Sequence, residues 1–110
     1  MAWNQDGRTG DKRTQAAQMV KDDIEESWGG TAYTRVIKKR TGRGDLIADL
    51  GVQVALVEQE NYRWTVSVFN PWVTEDGKLM RNGGSGVGKG FATEADATSV
   101  AKALININWS

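Results

Sequence analysis

The chain of 110 residues contains no cysteine and no histidine, and these two absences exclude several classes of function. Without cysteine there is no disulfide framework, no thiolate metal site and no cysteine nucleophile. Without histidine, the commonest general base and metal ligand are missing. An enzyme would have to use carboxylates or lysines, and no spacing of these indicates a catalytic or metal site. We therefore expect a protein that is not an enzyme, with no cofactor and no bound metal.

Long apolar runs are absent as well. No stretch approaches the roughly 18 apolar residues of a membrane-spanning helix, and the first residues lack the apolar core of a signal peptide. We therefore expect a cytoplasmic protein. The chain does have apolar surface for one core, because 39% of its residues are hydrophobic and five are tryptophan. This length and composition predict a single domain over residues 14–110, preceded by a flexible polar arm, residues 1–13.

Hydrophobic spacing predicts an α+β fold. From Thr14 to Trp28 apolar residues recur every three or four positions, and Gly29 then offers a left-handed stop, so we expect an amphipathic helix with Trp28 on its buried side. The segments Gly51–Gln59 and Tyr62–Phe69 are rich in β-branched and aromatic residues, which predicts two antiparallel strands joined by a short turn.

The remaining elements complete an antiparallel sheet with a helix on one face. A third strand should begin near Lys78, after the Asp76-Gly77 turn, and continue into the glycine-rich segment that follows. A final helix is expected from Glu94 to Ile107, with Thr93 as its N-cap. The stretch from Ala32 to Ile47 alternates weakly, so it is either a strand or a basic loop. The sheet therefore has three strands, or four if that stretch is extended.

The segment RNGGSGVGKG, residues 81–90, matches the start of a phosphate-binding loop in its spacing from Gly83. Such a loop needs a hydroxyl residue directly after Lys89, where a helix must also begin, but Gly90 follows and the predicted helix starts later. We interpret the glycines as the bare face of a strand, close to a ring such as that of Trp64 or Trp72, or as a flexible loop. Lys89 stays a candidate contact for nucleic acid.

The net charge of zero conceals a basic first part of the chain. Residues 1–44 carry nine basic and six acidic side chains, and the segment from Thr31 to Gly44 holds five cations with no acidic residue. Such a run is typical of a nucleic-acid-binding surface or of a solvated loop. Our candidate phosphate contacts are Arg35, Lys38, Lys39, Arg40, Arg43 and Lys89, to which Arg8, Lys12 and Arg13 add charge. Aromatic rings that could stack on bases are Tyr33, Trp3 and Trp28.

Five tryptophans favour a different class of function, a protein-interaction module such as an inhibitor, adaptor or assembly subunit. Trp3, Trp72 and Trp109 flank the predicted elements and are the candidate interface residues. The unequal charge of the two halves would also let copies of the chain pair head to tail as a homo-oligomer. The sequence leaves both classes open, with nucleic acid or another protein as the partner.

Part of the chain resembles nucleic-acid-binding modules. The aromatic strand Tyr62–Phe69, the turn at Asp76-Gly77-Lys78 and the Gly-Phe-Ala-Thr entry into the last helix look like the three-strand-plus-helix arm-binding module of tyrosine-family phage integrases, over residues 51–107. With the first helix added, the order also resembles the double-stranded-RNA-binding domain. The resemblance implies nucleic-acid binding. Where the RNA-binding family has a phosphate-binding lysine cluster, however, this chain has the acidic Glu94 and Asp96.

Overall fold

Two helices lie on opposite faces of a six-stranded antiparallel sheet. The computed structural model describes residues 12–40, 46–81 and 83–107, with the backbone alone for 38–40 and 46–49. The elements are α1 (Lys12–Trp28), β1 (Thr31–Arg40), β2 (Leu46–Glu60), β3 (Arg63–Phe69), β4 (Trp72–Val73), β5 (Leu79–Met80), β6 (Ser85–Phe91) and α2 (Glu94–Ile105). The predicted α+β class is confirmed. Residues 1–11 of the expected arm lie outside the described residues, and Lys12 and Arg13 belong to α1.

The long strand β2 organises the sheet. On one side it pairs with β1 from Thr31 to Arg40, and on the other with β4 at Leu50 and Gly51 and then with β3 from Val54 onward. β6 pairs with β3 and β5 pairs with β4, so β1 and β6 lie on opposite edges of the sheet. Because strand residues alternate between faces, β2 places Val52 and Val54 under α1 but Ala55 and Val57 under α2.

Both helices are present where the apolar spacing predicted them, and each has a capping residue at one end. In α1 the fully buried residues are Ala16, Val20 and Ile24, and the helix ends at Gly29, whose φ of 84° is left-handed and whose N–H donates to the Glu25 carbonyl at 2.8 Å. In α2 the Thr93 hydroxyl accepts from the Asp96 N–H at 3.1 Å, as an N-cap does.

The expected count of three or four strands was too low. The segment from Ala32 to Ile47, left open by the sequence, contains β1 and the start of β2. The expected third strand is instead two strands, one of two residues and one of seven. Its first part is β5, which a turn at Gly77 joins to β4, and its second part is β6, which contains Gly86, Gly88 and Gly90 and pairs with β3. Two-residue strands contain too little alternation to be recognised in a sequence.

Trp28 is not buried as its helical position predicted. The side chain is 51% exposed, and its ring is tilted against the buried Phe69 with 5.7 Å between ring centroids. Trp28 is the last residue of α1, beyond the buried positions Ala16, Val20 and Ile24, so the helix does not cover its ring with a further turn. Trp64, in contrast, is half-buried beside the cluster under α2.

Candidate nucleic-acid interface

The candidate cations Lys38, Lys39 and Arg40 occupy the last three positions of β1. Opposite them lies the beginning of β2, with Leu50 across from Lys38 and Leu46 across from Arg40. Between these two pairs the register of the ladder is irregular. The ladders from β2 to β4 and β3 begin only at Leu50, so residues 46–49 have no partner strand other than β1 in the described part of the chain. Residues 38–40 and 46–49 therefore form a two-stranded ribbon at one end of the sheet, which we name the basic ribbon.

Each helix adds a cation beside β1, Arg13 next to the second half of the strand and Lys102 next to the first half. Arg13 of α1 donates through Nη2 to the carbonyl of Val36 at 3.0 Å. Lys102 of α2 places its ammonium 5.6 Å from the ring centroid of Tyr33, a cation–π arrangement. Arg35 itself is exposed and lies across from Gln53 of β2. Positive charge therefore reaches the approach to the basic ribbon from both faces of the sheet.

Not all predicted contacts come together. Lys89 is exposed on β6, across from Thr65, at the opposite edge of the sheet. Because β2 and β3 separate the two edges, Lys89 lies about 14 Å from β1 at the usual strand spacing. Trp72 is half-buried on β4, where it pairs with Gly51. Three further candidates lie outside the described residues: Arg43, Trp3 and Trp109.

The predicted stacking rings are not free beside the basic ribbon. Tyr33 is half-buried and has Lys102 over its ring. Trp28 precedes the start of β1, so roughly 23 Å of extended strand separates its neighbourhood from Lys38. Contact with nucleic acid at the ribbon would therefore depend on charge rather than on these two aromatic rings.

The far end of the sheet is acidic. There Glu58 and Glu60 close β2, and burial first, then the charge of Glu60, raise the pKa of the Glu58 carboxyl. The N-terminal turn of α2 adds Glu94 and Asp96. Arg63, across from Glu60, and Lys89, across from Thr65, lie at the same end, so the carboxylates there are only partly offset by cations. The basic ribbon lies at the other end of β2, which gives the molecule an uneven charge distribution along this strand.

The outer edge of β1 is bonded by side chains of α1. Glu25 Oε2 accepts from the Ala32 N–H at 2.9 Å, Lys21 Nζ donates to the Ala32 carbonyl at 2.9 Å, and the two side chains form an ion pair at 2.6 Å. Burial acts to raise the pKa of Glu25, but its bonds to Lys21 and to the Ala32 amide prevail and lower it. These contacts partly protect an edge that would otherwise present unpaired backbone groups.

The glycine segment has the geometry of a strand, which agrees with its rejection as a phosphate-binding loop. β6 runs to Phe91 and α2 begins only at Glu94. The glycines admit phenylalanine rings rather than the expected Trp64 or Trp72. A Cβ at Gly84 would lie 2.4 Å from the ring of Phe69, and one at Gly88 would lie 2.9 Å from that of Phe91.

Two residues that contribute contacts in this region were not predicted from the sequence. Lys102 lies in the last turn of α2 and is the only cation of that helix, so no cluster of basic residues in the sequence indicates it. Gln53 is a single polar residue in an apolar strand; it is fully buried and donates through Nε2 to the carbonyls of Ile105 and Ile107 at 3.3 and 2.8 Å. The lone glutamine in GVQVALV is the available signal, since a buried amide must find partners.

No known protein family, curated protein or solved structure matches this chain. Among the described helices, none is long and apolar enough to cross a membrane. Nor do three acidic side chains come together as a metal site anywhere in the ranges that the structure covers.

Proposed function

We propose that this protein is a small nucleic-acid-binding accessory protein that contacts phosphates with the basic ribbon. The observation that carries the proposal is the placement of Lys38, Lys39 and Arg40 on a two-stranded ribbon, residues 46–49 of which have no other strand partner in the described part of the chain. A ribbon of this kind is narrow enough to enter the major groove of B-form DNA, which admits two antiparallel strands.

Electrostatics supports the same end of the molecule. Phosphate binding releases counterions from the nucleic acid, and its strength grows with each cation that makes a contact. Arg13, Arg35 and Lys102 extend the positive region from the ribbon along β1. The acidic far end would be repelled by phosphates, so a charged duplex would be approached ribbon first.

Charged residues on an edge strand also have a purely structural use, because lysine and arginine discourage sheets from joining edge to edge. The two explanations predict different behaviour. Edge protection predicts no affinity for nucleic acid, whereas our proposal predicts affinity that falls steeply as salt is raised. Titrations of labelled duplex DNA, single-stranded DNA and RNA across a salt series, followed by fluorescence anisotropy, separate them.

A matched pair of variants locates the contact. Lys39→Ala with Arg40→Ala removes one lysine and one arginine from the basic ribbon, and Lys89→Ala with Arg63→Ala removes the same charges near the opposite edge. Each lost phosphate contact lowers the slope of log affinity against log salt by about 0.9 for duplex DNA. We expect the ribbon variant to lose about two units of slope and the control to lose almost none. Absence of binding even at low salt would reject the proposal.

A protein-interaction role is the second candidate, and the exposure of Trp28 favours it. A tryptophan that is 51% exposed is an unusual surface residue and a common hot spot in interfaces. The partner would be another protein or a second copy of the chain. Sedimentation velocity at several concentrations, comparing the parent with Trp28→Gln, tests the second copy directly: a monomer at every concentration removes self-association from consideration.

A further inference from the structure

The backbone of β1 directs alternate residues away from the sheet. Both backbone groups of Ala32 bond to side chains of α1, namely Glu25 and Lys21, and so point away from β2. In an antiparallel ladder such outward groups recur at every second residue. Val36 follows this rule, since its carbonyl accepts from Arg13. Thr34, midway between Ala32 and Val36, therefore directs its N–H and its carbonyl to the same open edge.

A groove runs along this edge between α1 and β1. It has a volume of about 320 Å³, and α1 contributes Arg13, Ala17 and Lys21 while β1 contributes Thr34 and Val36. One end has the cation Arg13, the other has Lys21, which is ion-paired with Glu25, and the middle is small and apolar at Ala17. Within the described residues nothing bonds the backbone groups of Thr34, although both neighbouring outward residues on the strand are bonded by α1.

We propose that this groove binds an extended peptide segment of a protein partner that carries two acidic residues four positions apart, with an apolar residue midway between them. The peptide lies beside β1 as an added strand. Its middle residue exchanges backbone hydrogen bonds with Thr34, and the side chain of that residue lies over Ala17. The two carboxylates face Lys21 at one end and Arg13 at the other.

The separation of the two acidic residues in the peptide follows from the geometry of β1. Ala32, beside Lys21, and Val36, beside Arg13, lie four residues apart on β1, about 13 Å in an extended chain, so carboxylates on an added strand need the same separation. Both cations retain donors for them. Lys21 uses two of its three ammonium protons on Glu25 and Ala32, and the guanidinium of Arg13 has five N–H donors.

A peptide fits this edge better than a nucleic acid strand does. Thr34 presents one donor and one acceptor side by side, and a peptide backbone satisfies both. A phosphate group offers only acceptors, so it would leave the Thr34 carbonyl without a partner in a partly desolvated groove. The groove contains no residue of the basic ribbon, although Arg13 borders both the groove and the positive region that extends from the ribbon.

The probe is a fluorescein-labelled peptide of sequence Glu-Thr-Val-Thr-Glu, titrated with the full chain and followed by anisotropy. We expect binding in the range of ~10–300 μM, typical of a short added strand, and binding at least about tenfold weaker for the charge-reversed peptide Lys-Thr-Val-Thr-Lys. Ala17→Leu fills the middle of the groove and should weaken binding at least tenfold, whereas Ala103→Leu, the same change on the exposed side of α2, should leave it unchanged.

A second variant tests the backbone itself. Thr34→Pro removes the edge N–H, which an edge strand tolerates because the ladder does not use it, and the same loss of affinity is expected. In the parent, addition of the peptide should shift the Thr34 amide resonance and slow its hydrogen exchange. The proposal is overturned if the peptide fails to bind at about 1 mM, if Ala17→Leu binds it as well as the parent, or if Ala17→Leu instead abolishes oligonucleotide binding, which would make the groove a nucleic-acid site.

Discussion

Replacing Gln53 by methionine should weaken the attachment of α2 to the sheet. The side chain is fully buried in β2 and its amide donates to two carbonyls at the end of α2, those of Ile105 and Ile107. Ile105 is the last residue of α2, so its carbonyl is one that a helix leaves unsatisfied, and Ile107 lies two residues beyond the helix. Methionine has nearly the volume of glutamine but no N–H, so the variant removes the bonds while leaving the packing almost unchanged.

The expected loss of stability follows from the two hydrogen bonds of Gln53. A neutral hydrogen bond contributes about 0.5–1.5 kcal/mol net, and the bond at 3.3 Å is the weaker of the two. The Ile107 carbonyl belongs to an exposed residue and can regain water, whereas Ile105 is half-buried. We therefore expect the free energy of unfolding to fall by ~1–3 kcal/mol. In a domain of this size a loss of 1 kcal/mol lowers the melting temperature by about 4 °C, so the melting temperature should fall by roughly 4–12 °C.

Urea denaturation followed by far-UV circular dichroism measures this change, and an unaltered slope would show that the same surface is still exposed on unfolding. Gln59→Met provides the control on the same strand, since Gln59 is exposed and its replacement should change the free energy by less than about 0.5 kcal/mol. If Gln53→Met is as stable as that control, the helix is not held by the glutamine and the reasoning is wrong.

Three further predictions concern packing and pH. Gly84→Ala should cost ~1–3 kcal/mol because its Cβ would lie 2.4 Å from the buried Phe69 ring, whereas Gly86→Ala, with open space there, should be nearly neutral in thermal unfolding. Glu58→Gln should raise the melting temperature at pH 7, since burial raises the pKa of Glu58 and makes its ionised form unfavourable in the fold; the gain should vanish as the pH falls below 4.5. Glu25→Gln should lower the melting temperature at pH 7 because the pKa of Glu25 is lowered, and this loss should disappear as acid protonates the parent.

The fold was predictable where local pattern and packing agree. Both helices combine an apolar period with a cap, and both are fixed by residues the pattern identified, such as Ile24 in α1 and Ala97 in α2. β1 was ambiguous because an edge strand is only partly buried, so the exposed Arg35 interrupts its apolar alternation. Trp28 obeys the helical period but sits where the helix ends, which periodicity alone does not show.

The candidate site was predictable only in part. The cations of one strand, Lys38 to Arg40, stay together in space because they are adjacent in the chain. Lys89 was grouped with them by charge, yet the order of strands puts it across the sheet. Arg13 and Lys102 join the region through helices that approach from opposite faces, and only tertiary structure relates them to β1.

The most direct test of nucleic-acid binding by the basic ribbon is a set of amide chemical-shift changes recorded as duplex DNA is added at low salt. We predict that the shifts concentrate at Arg35 to Arg40 and Leu46 to Leu50, and that they fade as salt is raised. Shifts centred on β6 and the start of α2, or no shifts at all, would contradict the proposed function.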